Sequence, residues 1–299
     1  MKDYLVVTGG AGFIGTNLIE LLLVKTNFKI ISIDNYSTGK KNNHIINKRV
    51  RYINSDTEKI NKILSNYKTK INAIFHFGEF SRIYQSFLNF NECFRSNSIA
   101  SKEVFKFCLD NKIKLIYSAT SAALGNQGKD KNLSPYAFTK AKNLELLENL
   151  KKWFNFSFEI IYFYNVYGPR QICKGPMATV VGIFEDHFIR KEKLPVVRPG
   201  KQTRKFTHVK DTVETCYKAW KNDKNRHYSI SANKSYSILK LAKMFKSKFF
   251  YLPKRPGERY ASALNSLVLN NKVSKIKGKI TLKSYVAEFL KKHTFTKKS

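Results

Sequence analysis

Near the start of the chain, Thr8-Gly9-Gly10-Ala11-Gly12-Phe13-Ile14-Gly15 places glycines three apart, at 9, 12 and 15. Without side chains there, the backbone can turn tightly, a pyrophosphate can approach a helix N-terminus, and the helix can pack close to the preceding strand. Asp34 follows about twenty residues after the last glycine, at the end of a second apolar run. A carboxylate in that position accepts hydrogen bonds from both ribose hydroxyls and repels a 2′-phosphate, so the pattern points to NAD. Lys40 and Lys41 keep NADP as the alternative.

A second group of reactive residues lies in Ser134-Pro135-Tyr136-Ala137-Phe138-Thr139-Lys140. Ser134 suits a helix N-cap and Pro135 a first helical position, which puts Tyr136 in the first turn. Tyr136 and Lys140, four residues apart, then share one helix face. A free phenol ionises near pH 10, but an ammonium, a helix N-terminus and an oxidised nicotinamide all favour the phenolate. The pair can act as a base near neutral pH.

Positioning these groups requires alternating elements. Tyr4 to Thr8, Lys29 to Ile33, Ala73 to Phe77, Lys114 to Ser118 and Glu159 to Tyr164 are short, apolar and rich in β-branched or aromatic residues, as strands are. Helical patterns lie between them at Phe13 to Val24, Glu92 to Leu109 and Tyr136 to Phe154. This alternation predicts βαβ units, hence an α/β fold with a parallel sheet and helices on both faces. After Asn165 the pattern loosens into turn signals at Gly168-Pro169, Gly175-Pro176, Pro199-Gly200 and Pro256-Gly257, which predicts a smaller lobe folded onto the first half.

Composition limits the rest. With 299 residues, 42% of them hydrophobic and 14% aromatic, the chain has enough apolar mass for a packed core and too much for a disordered protein. The formal charge of +34 has two readings: a footprint for nucleic acid or anionic lipid, or lysine usage that accompanies abundant Asn, Ile, Phe and Tyr. The lysines are interspersed with apolar residues rather than blocked, which favours a solvated surface over nucleic-acid binding. The excess is uneven, since residues 240–299 carry 16 basic and 2 acidic side chains. Cys93, Cys108, Cys173 and Cys216 show no CxxC or Cys/His metal spacing. No apolar run approaches the ~18 residues of a membrane span, and no leader pattern opens the chain, so a soluble cytoplasmic protein is expected.

Taken together, the glycine loop and the Tyr136/Lys140 pair resemble the extended short-chain dehydrogenase/reductase family, in its NAD-dependent nucleotide-sugar epimerase/dehydratase branch. The resemblance runs along nearly the whole chain: Asp34-Asn35-Tyr36-Ser37-Thr38-Gly39, Asp56, His76-Phe77, Asn97, Asn165-Val166-Tyr167-Gly168-Pro169-Arg170, Arg204-Lys205-Phe206-Thr207-His208-Val209-Lys210-Asp211, and Arg255-Pro256-Gly257-Glu258. It implies a Rossmann doubly wound parallel sheet with a smaller α/β C-terminal substrate lobe. Residues 1–165 would form the NAD-binding domain with a return segment at 205–230, and 166–204 and 231–299 the nucleotide-sugar lobe. By resemblance, NAD would be held by Gly9, Gly12, Phe13, Ile14, Gly15, Asp34, Asn35, Asp56, Phe77, Gly78, Asn97, Tyr136 and Lys140.

The resemblance also implies the chemistry. Thr120 would hydrogen-bond the reacting sugar hydroxyl, with Ser121 as the alternative if the alignment slips by one residue. Tyr136 would remove its proton while NAD takes the hydride, and Lys140 would hold the nicotinamide ribose and tune Tyr136. Asn165, Arg204 and Arg255 would bind the substrate diphosphate, and no metal is involved. His208 is read as structural. Sugar 4,6-dehydratases of this branch carry an Asp-Glu pair after the catalytic Thr, where this chain has Ser121 and Ala122. Reversible oxidation at one carbon, hence C4 epimerisation of a nucleotide-diphosphate-sugar in carbohydrate or polysaccharide biosynthesis, is therefore the expected activity. The alternatives are a related reductase, 4,6-dehydratase or decarboxylase, and a non-enzymatic NAD- or RNA-binding protein. A homodimer is expected through the helices at Glu92 to Leu109 and Tyr136 to Phe154. Two departures stand apart: Gly78-Glu79 where the family has Ala-Ala, leaving Glu79 either a polar contact or a solvent-facing group, and Tyr162 where the family often has Arg.

Overall fold

The computed structural model describes residues 2–124, 132–257 and 273–295. In its first half, β1 (Tyr4–Thr8), β2 (Lys29–Asp34), β3 (Val50–Asn54), β4 (Ile71–His76), β5 (Lys114–Thr120) and β6 (Phe158–Phe163) alternate with helices. These are α1 (Phe13–Lys25), α2 (Ile60–Ile63), α3 (Ile83–Leu88), α4 (Phe90–Phe94), α5 (Ser101–Asp110) and α6 (Pro135–Phe154). The second half adds β7 (Val166–Tyr167), α7 (Val180–Ile189), β8 (Leu194–Val197), β9 (Thr203–Lys205), β10 (Thr207–His208), α8 (Val209–Asn222), β11 (His227–Ser231), β12 (Ser235–Ser237), α9 (Ile238–Met244), β13 (Phe249–Leu252), β14 (Val273–Lys277) and α10 (Leu282–Phe295).

Eight strands form one sheet in the order β14-β11-β6-β5-β4-β1-β2-β3, and every neighbouring pair is parallel. Such a sheet must be covered on both faces, and its central strands carry side chains without solvent exposure, among them Leu5, Val6, Val7, Ile74, Phe75 and Ile116. One face packs against a cluster containing Phe105, Phe107 and Leu147, the other against Leu18, Ile19 and Trp220. The chain starts at β1, runs outward through β2 and β3, and then crosses to β4 on the other side. Strand order therefore reverses between β1 and β4, and in such folds the crevice beyond the strands' carboxyl ends at that point binds ligands.

Three elements differ from the sequence expectation. β3 pairs only with β2 at the sheet edge, and its exposed Arg51 and Asn54 break the apolar alternation that would have revealed it. The helix expected over Glu92 to Leu109 is interrupted by a π-helical turn at Arg95–Ala100. That wide turn presents Ser96 Oγ and Asn97 Oδ1 to the N–H of Phe80, at 3.1 and 2.7 Å. Lastly, the return segment extends further than 205–230: β11 joins β6, and β14, from the region assigned to the lobe, pairs in parallel with β11. Ser274, Lys275 and Lys277 in Val273–Lys277 suit an edge strand and hide it from an apolar search.

The smaller lobe gathers Tyr167, Phe184, Phe206, Leu241 and Phe245 into its own core, with β8 pairing β13 and β9 pairing β12. No helix among the described residues is long and apolar enough to cross a membrane.

Candidate functional site

A cleft of about 650 Å³ opens at the β1/β4 switch point and reaches into the lobe. The glycine loop forms one end. Gly9 adopts φ +68°, and a Cβ there would sit 2.9 Å from the backbone of Gly78. A Cβ on Gly15 would meet Gly9 O at 2.1 Å. Only glycine lets the loop pack this closely on the end of β4 and on its own first turn. Its helix α1 begins after Gly12, which provides no side-chain cap, so the first-turn N–H groups are left to a ligand.

Asp34 closes this end. It is buried, with Oδ2 accepting from Ala11 N at 2.9 Å and Oδ1 from Tyr36 N at 2.8 Å. Burial pushes its carboxyl pKa up, while these backbone donors oppose the shift. A Cβ on Gly39 would lie 2.6 Å from Asp34 Oδ1, so the 35–39 segment can fold over the carboxylate only as glycine allows. Asn35 Nδ2 donates to Asp56 Oδ1 at 2.7 Å, and both line the cleft. Lys40 and Lys41, the lysines that kept NADP as the alternative, are exposed and do not line the cleft. The residues present fit NAD.

Midway along the cleft, α6 starts as expected: Ser134 Oγ accepts from Ala137 N, and Tyr136 sits in the first turn. Tyr136 N donates to Ser86 Oγ at 3.2 Å, tying α6 to α3. Tyr136, Lys140 and Thr120 all line the cleft, and each is at most 8% exposed. Thr120 Oγ1 accepts from Ala122 N at 3.1 Å. Lys140 Nζ donates to Ser118 O at 2.5 Å and pairs with the carboxylate of Glu79. Burial lowers the Lys140 pKa, and Glu79 works against that.

Glu79 does not face solvent. Its side chain is 2% exposed, and Oε1 accepts from Ser101 Oγ at 2.9 Å, Tyr117 OH at 3.0 Å and Asn143 Nδ2 at 3.2 Å. The network continues to the glycine loop. Thr8 Oγ1 accepts from the N–H groups of Phe77 and Gly78, so its own hydrogen goes to His76 Nδ1 at 2.7 Å. His76 Nε2–H is then left to donate to Ser101 Oγ at 3.0 Å. Burial pulls the His76 pKa down to about 4, consistent with this neutral ring.

At the lobe end, Asn165, Arg204 and Arg255 reach the same cleft. Asn165 holds a left-handed φ of 35° and donates to Lys205 O at 2.9 Å. Arg204 is buried and donates to Thr203 O, while the Arg255 guanidinium lies 5.1 Å from the Tyr84 ring centre. Among the described basic residues of 240–299, Arg255 alone lines the cleft. The sequence reading missed Arg82. It also lines the cleft, with Nε donating to Met177 O at 3.0 Å and Nη1 to Ser81 O at 2.9 Å. Burial lowers its pKa, and Tyr136 is the ionisable group facing it. No motif flags an isolated Arg after a strand end.

Two other positions lie off the cleft wall. Asn97 is fully buried, and its Nδ2 donates to Phe80 O and Thr139 Oγ1, so it clamps the loop behind the cofactor end. Tyr162 is a core residue whose OH meets His227 Nδ1 at 2.8 Å, with His227 Nε2 in turn 2.7 Å from Glu148. His208 caps α8, accepting from Lys210 N. Glu258 of the Arg255-Pro256-Gly257-Glu258 motif and Gly125, after the Thr120 strand, lie outside the described residues. Among the described residues, no His, Cys, Asp and Glu cluster could hold a metal ion.

Residues 5–231 match the family described as NAD dependent epimerase/dehydratase. The chain is 28% identical over 281 residues to a putative UDP-glucose 4-epimerase of Methanocaldococcus jannaschii, covering 86% of this chain and 88% of the relative. It is 27% identical to an ADP-L-glycero-D-manno-heptose-6-epimerase of Brachyspira hyodysenteriae, over 82% of this chain and 81% of that one. Among solved structures, a UDP-N-acetylglucosamine 4-epimerase from Methanobrevibacter ruminantium, in complex with UDP-N-acetylmuramic acid, superposes with a TM-score of 0.82 at 26% identity and covers 99% of both chains.

Proposed function

The chain belongs to the NAD-dependent epimerase/dehydratase family, and we propose that within it the protein is a nucleotide-sugar epimerase that inverts C4 of the hexose through a transient ketone. The observation that carries this reading is the wall around Thr120. Ser121 and Ala122 follow it in the cleft, and the carboxylate of Glu79 is engaged in the Lys140 pair. Among the described residues, that wall has a base and no second acid–base pair for eliminating water, which favours epimerisation over dehydration.

Thr120 orients the sugar hydroxyl, Tyr136 removes its proton and returns it after the sugar has turned, and Lys140 holds its place beside them. NAD, when bound along the glycine loop and Asp34, supplies the hydride acceptor and donor. Asn165, Arg204 and Arg255 hold the diphosphate, where charge-assisted hydrogen bonds suit the anion. The relatives' named substrates, UDP-glucose and UDP-N-acetylglucosamine, are the first to try. Exposed Leu88, Phe90, Ile99 and Phe138 on and beside the predicted dimer helices support a homodimer, which light scattering checks.

The test incubates purified protein and NAD with UDP-, GDP-, CDP- and dTDP-sugars. An epimer should form without net reduction of NAD. Accumulation of a 4-keto-6-deoxy sugar, or stoichiometric cofactor consumption, would assign the protein to the dehydratases or reductases instead.

A further inference from the structure

Glu79 is a charged residue at the centre of the cleft that the proposed reaction does not use. Four donors converge on its carboxylate: the Lys140 ammonium, Ser101 Oγ, Tyr117 OH and Asn143 Nδ2. They come from α5, β5 and α6, so the carboxylate is fixed from three directions. A carboxylate holding four donors, three on Oε1 and Lys140 on Oε2, buried to 2% exposure, persists only because it is paired and hydrogen-bonded. Its nearest cation, Lys140, occupies the same face of α6 as Tyr136, one turn away.

The electrostatic consequence depends on which groups around Tyr136 carry charge. From β4, His76 is held neutral, with its pKa pulled to about 4 by burial. From α4, Cys93 stays a thiol, pushed up to about 11 by burial. From β5, Tyr117 stays a phenol, since burial and Glu79 push it well above the usual range. Among the described residues, the charges left near Tyr136 are Lys140 and Glu79, which cancel at a distance, and Arg82, whose described contacts are carbonyl oxygens rather than a carboxylate.

We propose that Glu79 is a positioning residue for the base: it locks Lys140 into a buried neutral pair, so Tyr136 ionises at a higher pH than it would beside an unpaired lysine. The proposal rests on the reading of Tyr136 as the base. In this arrangement, among the described residues, the uncompensated positive charge acting on Tyr136 belongs to Arg82, and Lys140 serves chiefly to hold geometry. Glu79 also couples that geometry to cofactor binding, because the chain Glu79–Ser101–His76–Thr8 ends at the first residue of the glycine loop.

Spectrophotometric pH titration of tyrosinate, taken as the difference between each protein and its Tyr136→Phe counterpart, reads the ionisation without turnover. Glu79→Gln should move the Tyr136 transition down by about one pH unit or more, since it leaves an ammonium unpaired nearby. The double variant Glu79→Gln/Lys140→Met, which removes both charges and keeps the buried site neutral, should titrate within about half a unit of wild type. The acidic limb of kcat should follow the same shifts. An unmoved transition in folded Glu79→Gln would overturn the proposal, as would a rise of more than about one unit in the double variant, which would mean that the lysine charge had acted undiminished. If Glu79→Gln does not fold, the double variant decides. Shifts of the expected size without epimerisation of any nucleotide sugar would uphold the pairing and sink the function proposed above; epimerisation without them would do the reverse.

Discussion

Asp34 Oδ2 accepts the backbone N–H of Ala11 at 2.9 Å, across 23 positions of sequence. The carboxylate expected to recognise ribose therefore also holds the glycine loop in shape. Because Oδ1 is engaged with Tyr36 N as well, recognition depends on the lone pairs that these two bonds leave free.

Asp34→Asn keeps one acceptor and loses the charge. NAD affinity should fall at least about tenfold, the scale of one charge-assisted hydrogen bond, and the preference for NAD over NADP should narrow because repulsion of the 2′-phosphate is gone. Calorimetric titration with both cofactors checks this. An unchanged NAD/NADP ratio would leave Asp34 as a loop anchor only.

Tyr136→Phe removes the phenol and keeps the ring between α6 and the strand ends. Turnover should drop at least ~10²-fold, the usual contribution of a general base, while NAD binding stays near wild type. Near-normal rates would show that another group takes the proton.

The fold was legible where packing dictates residue type. Apolar β1, β5 and β6 can only be interior strands, and Ser134-Pro135 announces the start of α6. β3 and β14 were not legible, because an edge strand faces solvent on one side and tolerates Arg51 or Lys275. In the site, Gly9, Gly15 and Tyr136 follow from local backbone and helix geometry. Glu79 does not: its partners Ser101, Tyr117, Lys140 and Asn143 lie 22 to 64 residues away, and only the fold brings them together. Asn97 shows the opposite limit, since a motif position identified the residue while its amide is spent on Phe80 rather than on the cleft.

Substrate capture should separate specific from general electrostatics. Arg255→Ala removes a guanidinium at the lobe end of the cleft, and KM for a nucleotide-diphosphate-sugar should rise about 10- to 100-fold with a smaller change in kcat. Raising ionic strength from 0.05 to 0.2 M should change KM by only about twofold, because screening acts on the diffuse surface charge and little on buried contacts. Arg82→Gln should act differently: facing Tyr136, it should lower kcat at neutral pH more than it raises KM. Steady-state kinetics across salt and pH distinguish the three effects, and equal salt and Arg255 effects would mean that the +34 surface alone gathers substrate.

Stability should weaken on mild acidification because two buried histidines stay neutral in the fold. His76 lies between Thr8 and Ser101, His208 caps α8 through Lys210 N, and burial brings both down to about 4 from the ordinary 6.5. The unfolded chain takes up these protons below pH 6.5 and the folded protein does not until about 4, so the unfolded state binds more protons throughout that window. Stability is then complete above 6.5 and is lost as pH falls toward 4, by about 1 to 3 kcal/mol per histidine. Thermal melts between pH 7.5 and 4.5 should show Tm level above about 6.5 and falling below it. His208→Asn keeps an acceptor for Lys210 N and removes one titrating ring, so its Tm should fall less steeply over the same range. Equal slopes for wild type and His208→Asn would assign the acid sensitivity to groups other than this cap.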